Sequence, residues 1–280
     1  MFDIWNSPHP LAEEAYKKDN YKITLHPEVK NGECVLYFSS NEVWFPNTEG
    51  TFHSAILEKD RYEWEAKPYR VGEKNIYIRD IYKSWYVQGV SERLGSIDAV
   101  LAWLKEETAG YEVVCIGSSA GGYMATVAGI YLHAKIVYAF SPQYCLYHPA
   151  YYDKNPFLQK YKDDANREKY YDISPMVNKS DIPIVYIYPD ACAEDIFQAD
   201  KIKKRENLIK WGLHNKHHGI VVYKCNLERL LNMDFADIQE LTDEGSKNPF
   251  FLSCRISGIG ETVKCVSDTL KRVAMKKIKR

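Results

Sequence analysis

An α/β domain built around a mainly parallel sheet is the fold class this sequence predicts, and three features predict it. Short apolar runs bounded by turn residues recur along the 280-residue chain, most of them separated by stretches of helical spacing. One tight Gly-rich turn joins a strand-like run directly to a helix-like one. Strands separated by helices imply right-handed crossovers and parallel neighbours. The length suits one large α/β domain or two small ones. With no internal repeat and no low-complexity linker, residues 1–280 read as a single domain.

The first strand is predicted over 21–26 (YKITLH), and the next over 34–38 (CVLYF), whose boundaries NGE and SSN mark a strand buried on both faces. A third runs over 75–78. Residues 91–107 place Leu94, Ile97, Val100, Leu101 and Leu104 at helical spacing, although the acidic residues at the end oppose the helix dipole slightly. A buried strand at 111–116 (YEVVCI), a helix at 119–132 and strands at 136–140 and 184–188 follow. Between those last two strands, 141–180 is polar, Tyr-rich and poorly periodic, the place for a cap over the sheet's carboxyl edge. A helix around 196–205, a short strand at 208–213 (LIKWGL) and a stretch at 220–231 that begins extended and ends helical come next. From about 233 to 280 the chain reads as an extension, with helices at 237–242 and 263–278.

Lys and Arg number 37 against 38 Asp and Glu, a net charge of -1. A protein that neutralises a phosphate backbone carries a basic excess, so no nucleic-acid partner is expected. The 7 cysteines are scattered without a CxxC pair, which points to a reduced, cytoplasmic chain and to no metal. The first residues lack a basic segment followed by an apolar one, and nowhere do about 18 apolar residues run together. Neither export by a standard signal nor a membrane span is expected. The 22 Tyr and 6 Trp either fill the core or stack on sugar rings, and core filling is the commoner use.

The sharpest local signal is Gly117-Ser118-Ser119-Ala120-Gly121, a G-x-S-x-G between a buried strand and a helix. That is the setting of a nucleophile elbow, and with it of an α/β-hydrolase fold. Small residues must flank the serine because the turn is so tight. Ser119 supplies the hydroxyl, and the amide of Ala120 faces the developing oxyanion. A serine hydroxyl is a weak nucleophile and needs a histidine held by a carboxylate.

In this fold the acid follows the nucleophile in sequence and the histidine follows the acid. After the strand at 184–188 come Asp190, Glu194 and Asp195. Asp195, where the loop turns into a helix, is favoured, with Asp190 as the alternative; helix capping is the other common job for such an Asp. Of 8 histidines only His214, His217 and His218 lie beyond the acid. His218, beside Gly219, is favoured over His217. The second oxyanion donor belongs to the loop after an early strand, here Ser39-Ser40-Asn41, with the amide of Ser40 or a neighbour as the donor. At the carboxyl end of the strand at 75–78, Trp85 and Tyr86 form either a sugar-binding platform or a cover for the following helix.

Three pieces carry a family likeness. SAGGYMA from Ser119, AFSPQ from Ala139 and DIYKSWYVQG from Asp80 together resemble bacterial α/β-hydrolase-like proteins of surface-polysaccharide biosynthesis. The pieces span roughly residues 33–233. The family includes capsule O-acetyltransferases, in which a Ser-Asp-His triad moves acetyl from acetyl-CoA to a sugar hydroxyl. The resemblance implies Ser119 as nucleophile, Asp195 as acid, His218 as base, acetyl-CoA as donor and a polysaccharide or oligosaccharide as acceptor. This chain has Ala120 where Met is usual, and its extension after Asn232 has no match.

Acyl transfer to a carbohydrate is therefore the first expectation. Ester hydrolysis differs only in that water resolves the acyl-enzyme, and an inactive binding subunit of the same fold is a third reading. The run 271–280 holds six cations and no acid. It is either a frayed, solvated helix end or a peripheral attachment to the inner face of an anionic membrane.

Overall fold

The computed structural model describes residues 9–243 and 247–278, with the side chains of 243 and 272–278 left aside. Its strands are β1 (Tyr21–Leu25), β2 (Glu33–Phe38), β3 (Lys74–Ile78), β4 (Glu112–Ser118), β5 (Ile136–Phe140), β6 (Ile184–Pro189) and β7 (Leu208–Leu213). The described residues form one seven-stranded sheet in the order β1-β3-β2-β4-β5-β6-β7. Only β1 runs antiparallel, against β3; every other pair is parallel. With a strand–elbow–helix at its centre, this is the α/β-hydrolase fold.

The helices are α1 (Pro10–Lys17), α2 (Glu49–Phe52), α3 (Ile97–Glu107), α4 (Ala120–Tyr131), α5 (Pro156–Lys160), α6 (Ala165–Glu168), α7 (Ser174–Lys179), α8 (Ala193–Asp200), α9 (Lys224–Leu231), α10 (Phe235–Asp243), α11 (Pro249–Ser257) and α12 (Ile259–Ile278). Every residue of β2 and β5 is buried, as a central parallel strand covered on both faces requires. Side-chain alternation divides the core in two. Leu36, Ile76, Cys115 and Val137 pack with α3 and α4 on one face, and Val35, Val114, Ile116 and Tyr138 with α9, α10 and α11 on the other. The extension thus covers the sheet through Ile238, Leu252 and Ile256, while α12 runs beyond it.

Several boundaries differ from the sequence reading, each for a local reason. The helix expected from 91 begins at Ile97, because Ser96 caps it by accepting the Ala99 N–H at 3.1 Å. The helix expected at 196–205 is α8, which starts at Ala193 and stops at Asp200. α11 follows an Asn248 cap with Pro249 in its first turn, a start signal hidden in an otherwise aperiodic stretch. Within 141–180, the short helices α5, α6 and α7 are pinned down by buried tyrosines. Tyr171 donates to the Leu158 carbonyl, and the Tyr123 hydroxyl of α4 donates to that of Tyr170.

Candidate active site

The turn after β4 is as tight as the sequence demands. Ser119 sits at φ 53°, a left-handed conformation costly for a residue with a side chain. A Cβ on Gly117 would lie 2.2 Å from the Gly121 carbonyl oxygen, and one on Gly121 would lie 2.2 Å from that of Phe38. Both positions therefore need glycine. The second contact brings the end of β2, and with it Ser39 and Ser40, against the start of α4. The Ser119 amide is fixed by the Phe140 carbonyl at 2.8 Å.

Three predicted side chains meet in one hydrogen-bonded chain. Ser119 Oγ lies 2.9 Å from His218 Nε2, and His218 Nδ1 lies 3.1 and 3.0 Å from the two oxygens of Asp195. Asp195 is in the first turn of α8 and 1% exposed, whereas the His218 side chain keeps 30% of its surface open. Partial burial pushes the His218 pKa down, but the Asp195 hydrogen bond and charge outweigh it and leave the imidazole above its ordinary value. Asp190 faces His214 at 3.2 Å and Lys247 at 3.8 Å, and it is His218 whose ring bridges Ser119 and Asp195.

Two residues that the sequence reading left without a role hold this chain in place. Ser141, itself at φ 47°, donates to the Gly219 carbonyl at 2.7 Å and accepts the Gly219 N–H at 3.3 Å, latching the loop that carries His218. Gln143 Oε1 accepts from Trp85 Nε1 at 2.8 Å and stands 3.2 Å from Ser119 Oγ, an alternative acceptor for the one hydroxyl proton that also reaches His218. The signal for both was present in the AFSPQ segment, which carries them to the carboxyl end of β5 beside the elbow.

The oxyanion side needs a correction at Ser40. Its amide donates to Glu63 Oε2 at 2.6 Å and its hydroxyl to Glu63 Oε1 at 2.8 Å, so the donor expected to face substrate is already engaged. Burial raises the Glu63 pKa against the opposing effect of those Ser40 bonds. Ala120, wholly buried, opens α4, and the first amides of a helix have no partner within it. Ala120 directly follows Ser119, and Asn41, the neighbour of Ser40, lines the cavity over Ser119.

Trp85 and Tyr86 also need correction: they are no open sugar platform. They are 5% and 0% exposed. The Tyr86 hydroxyl donates to the Ser39 carbonyl at 2.8 Å, and its ring meets Phe38 edge-on. Asp80 gathers the loop by accepting the amides of Tyr82, Ser84 and Tyr86, which turns both aromatics into the core. Trp85 instead supports Gln143.

A cavity of about 490 Å³ opens over Ser119 and His218. Its far wall is the loop between a π-helical turn (His53–Glu58) and β3, which presents Glu63, Trp64, Lys67 and Tyr69; Lys224 and Leu227 of α9 close one side. No residue of 144–180 lines it. Trp64 stacks near Phe140 and Tyr37, its ring centroid 6.3 and 5.9 Å from theirs. Among the described residues, no group of three His, Cys, Asp or Glu side chains is arranged to hold a metal ion. No described helix is long and apolar enough to cross a membrane.

Comparison with known proteins adds little about chemistry. No family model matches the chain, and no curated protein matches it. Among solved structures, it is similar to a capsule O-acetyltransferase of Neisseria meningitidis serogroup A, at 13% identity and a TM-score of 0.47 over 70% of this chain and 85% of that one. It is also similar to MenH from S. aureus, at 13% identity and 0.42 over 80% and 98%. An esterase of the Planctomycetes species Thermogutta terrifontis aligns at 15% identity and 0.41 over 87% and 91%. At these identities and scores the likeness decides nothing about the reaction.

Proposed function

We propose that this protein is a serine acyltransferase that moves an acetyl group from acetyl-CoA to a hydroxyl of a bacterial surface carbohydrate. The observation that carries the reading is the continuous relay from Asp195 through His218 to Ser119, with Ser119 raised on the elbow. In the proposed cycle, His218 Nε2 takes the Ser119 proton as Oγ attacks the thioester carbonyl. The amide of Ala120 stabilises the oxyanion. The thiol leaves with the proton that His218 returns. The acceptor hydroxyl then gives its proton to His218 and attacks the acyl-enzyme carbonyl, and His218 passes that proton to Ser119 Oγ as the C–O bond to the serine breaks. Asp195 holds the imidazole in the tautomer with Nδ1 protonated and stabilises its charged form.

The acceptor class draws support from the cavity wall. Trp64 and Tyr69 offer aromatic surface, and Glu42 and Glu63 offer carboxylates, the groups that stack on and accept hydrogen bonds from a sugar. Lys67 and Lys224 put two cations at the same cavity, suited to the phosphates of CoA. The family resemblance in the SAGGYMA and AFSPQ segments points the same way.

Ester hydrolysis is the second reading, favoured by the exposure of His218, which leaves water a route to an acyl-enzyme. A fluorophosphonate probe and a glycan panel separate the readings. Labelling at Ser119 with acetyl-CoA-dependent acetylation of a glycan supports transfer. Labelling with release of acetate from simple esters, and no glycan acetylated, replaces transfer by hydrolysis. Absence of labelling at Ser119 makes the chain a binding subunit.

A further inference from the structure

We propose that α12 docks this protein on an anionic lipid bilayer, with the cavity over Ser119 opening beside the docked face. Among the described side chains, the start of α12 is the part held by the body of the protein. Thr262 is buried and Cys265 and Val266 are half-buried, while Ile259, Val263 and Leu270 are 71%, 52% and 64% exposed. Ile259, Val263, Val266 and Leu270 follow one another at steps of four, three and four residues, so they share one stripe of the helix. Glu261 and Asp268 fall on the opposite side, where Glu261 pairs with Arg229 at 3.1 Å. Lys264 and Lys271 are exposed on the flank between stripe and carboxylates.

A solvated helix of this kind is marginal by itself, and three exposed aliphatic side chains, in line with the half-buried Val266, need a cover. Charge selects the cover. The sequence from Lys271 to Arg280 adds six cations and no carboxylate, although its side chains from Arg272 onward lie outside the described residues. An apolar stripe with cations on its flank, carboxylates turned away and a basic run at its end suits the boundary between acidic headgroups and acyl chains. Val266 and Leu270 also border a groove of about 310 Å³ with Val222, Tyr223 and Lys224. Lys224 lines the cavity over Ser119 as well, so the docked face and the cavity mouth are neighbours.

The test uses the full chain and sedimentation with phosphatidylcholine vesicles made with and without phosphatidylserine. Binding is expected only with phosphatidylserine, weakening as salt rises. Val263→Asp with Leu270→Asp is expected to weaken it roughly tenfold or more, since each change removes an aliphatic contact with the acyl boundary. Thermal unfolding of the variant should match the parent, which separates loss of docking from loss of fold. The proposal is overturned if the parent ignores both vesicles, if it binds both equally, or if the paired change leaves binding intact. It is equally overturned if the parent is a dimer in solution that the paired change splits, because a second copy then covers the stripe.

Discussion

On one side of the cavity, Ser119, Asp195 and His218 stand beyond the carboxyl ends of β4, β6 and β7; on the other, Glu63, Trp64, Lys67 and Tyr69 come from a loop without regular structure. On the first side the elbow follows from rules that act over a few residues, and the Ser141 latch then brings the His218 loop to it. A strand, a turn that tolerates only glycine beside it and a helix raise Ser119 wherever the rest of the chain lies. The second side is placed by distant partners: Glu63 by Ser40, and the end of the loop by Arg70, whose guanidinium meets Glu33 and the Leu231 carbonyl. A wall built on a locally fixed elbow and a wall carried by an irregular loop should respond differently to substitution.

The largest effect is expected on the first wall. Ser119→Ala or His218→Ala should reduce every acyl reaction by at least about 10³-fold, measured as kcat/KM on an ester and on acetyl-CoA. Asp195→Asn should cost about 10²-fold or more in kcat and also move the pH profile. His218 must be neutral to accept the proton, and its pKa is raised by Asp195, so activity climbs as pH rises through that raised value. Removing the Asp195 charge lowers that pKa, so the acid limb should shift to lower pH even as the maximum falls. A limb that stays in place would separate Asp195 from the base.

Gly121→Ala tests how the two walls are joined. Its new Cβ would collide with the Phe38 carbonyl, and a loss of about 3 kcal/mol in unfolding free energy is expected by denaturant titration. On the second wall, Trp64→Ala and Glu63→Gln should lower acetylation of a glycan by about tenfold, roughly one lost stacking or charged contact. Fluorophosphonate labelling of Ser119 should change little. Equal loss in both assays would mean that this loop serves the elbow and not the acceptor. The smallest effect is expected from Trp85→Phe, which removes one hydrogen bond to Gln143 and should cost about 1 kcal/mol of stability and a few-fold in rate.

The same contrast explains what could be read from the sequence. The sheet and the elbow were legible because they follow from apolar runs and glycine spacing; chain order narrowed the partners to a few acids and histidines, and only tertiary hydrogen bonds bring Asp195 and His218 to Ser119. Ser40 was assigned a free amide because a carboxylate 23 residues later in the chain leaves no local mark. Trp85 and Tyr86 stayed open between a sugar platform and an apolar cover because the Asp80 bonds that turn them inward belong to no regular element. The packing of α10 and α11 on the sheet was equally hidden, since their amphipathic faces do not announce which surface they cover.

The central claim is a covalent acyl-enzyme on Ser119. Rapid quenching during turnover with acetyl-CoA, followed by peptide mapping by mass spectrometry, tests it most directly. One acetyl group is expected on the peptide that contains Ser119, and none in Ser119→Ala. Turnover by Ser119→Ala at the parent rate, with no acetylated peptide in either protein, would contradict it.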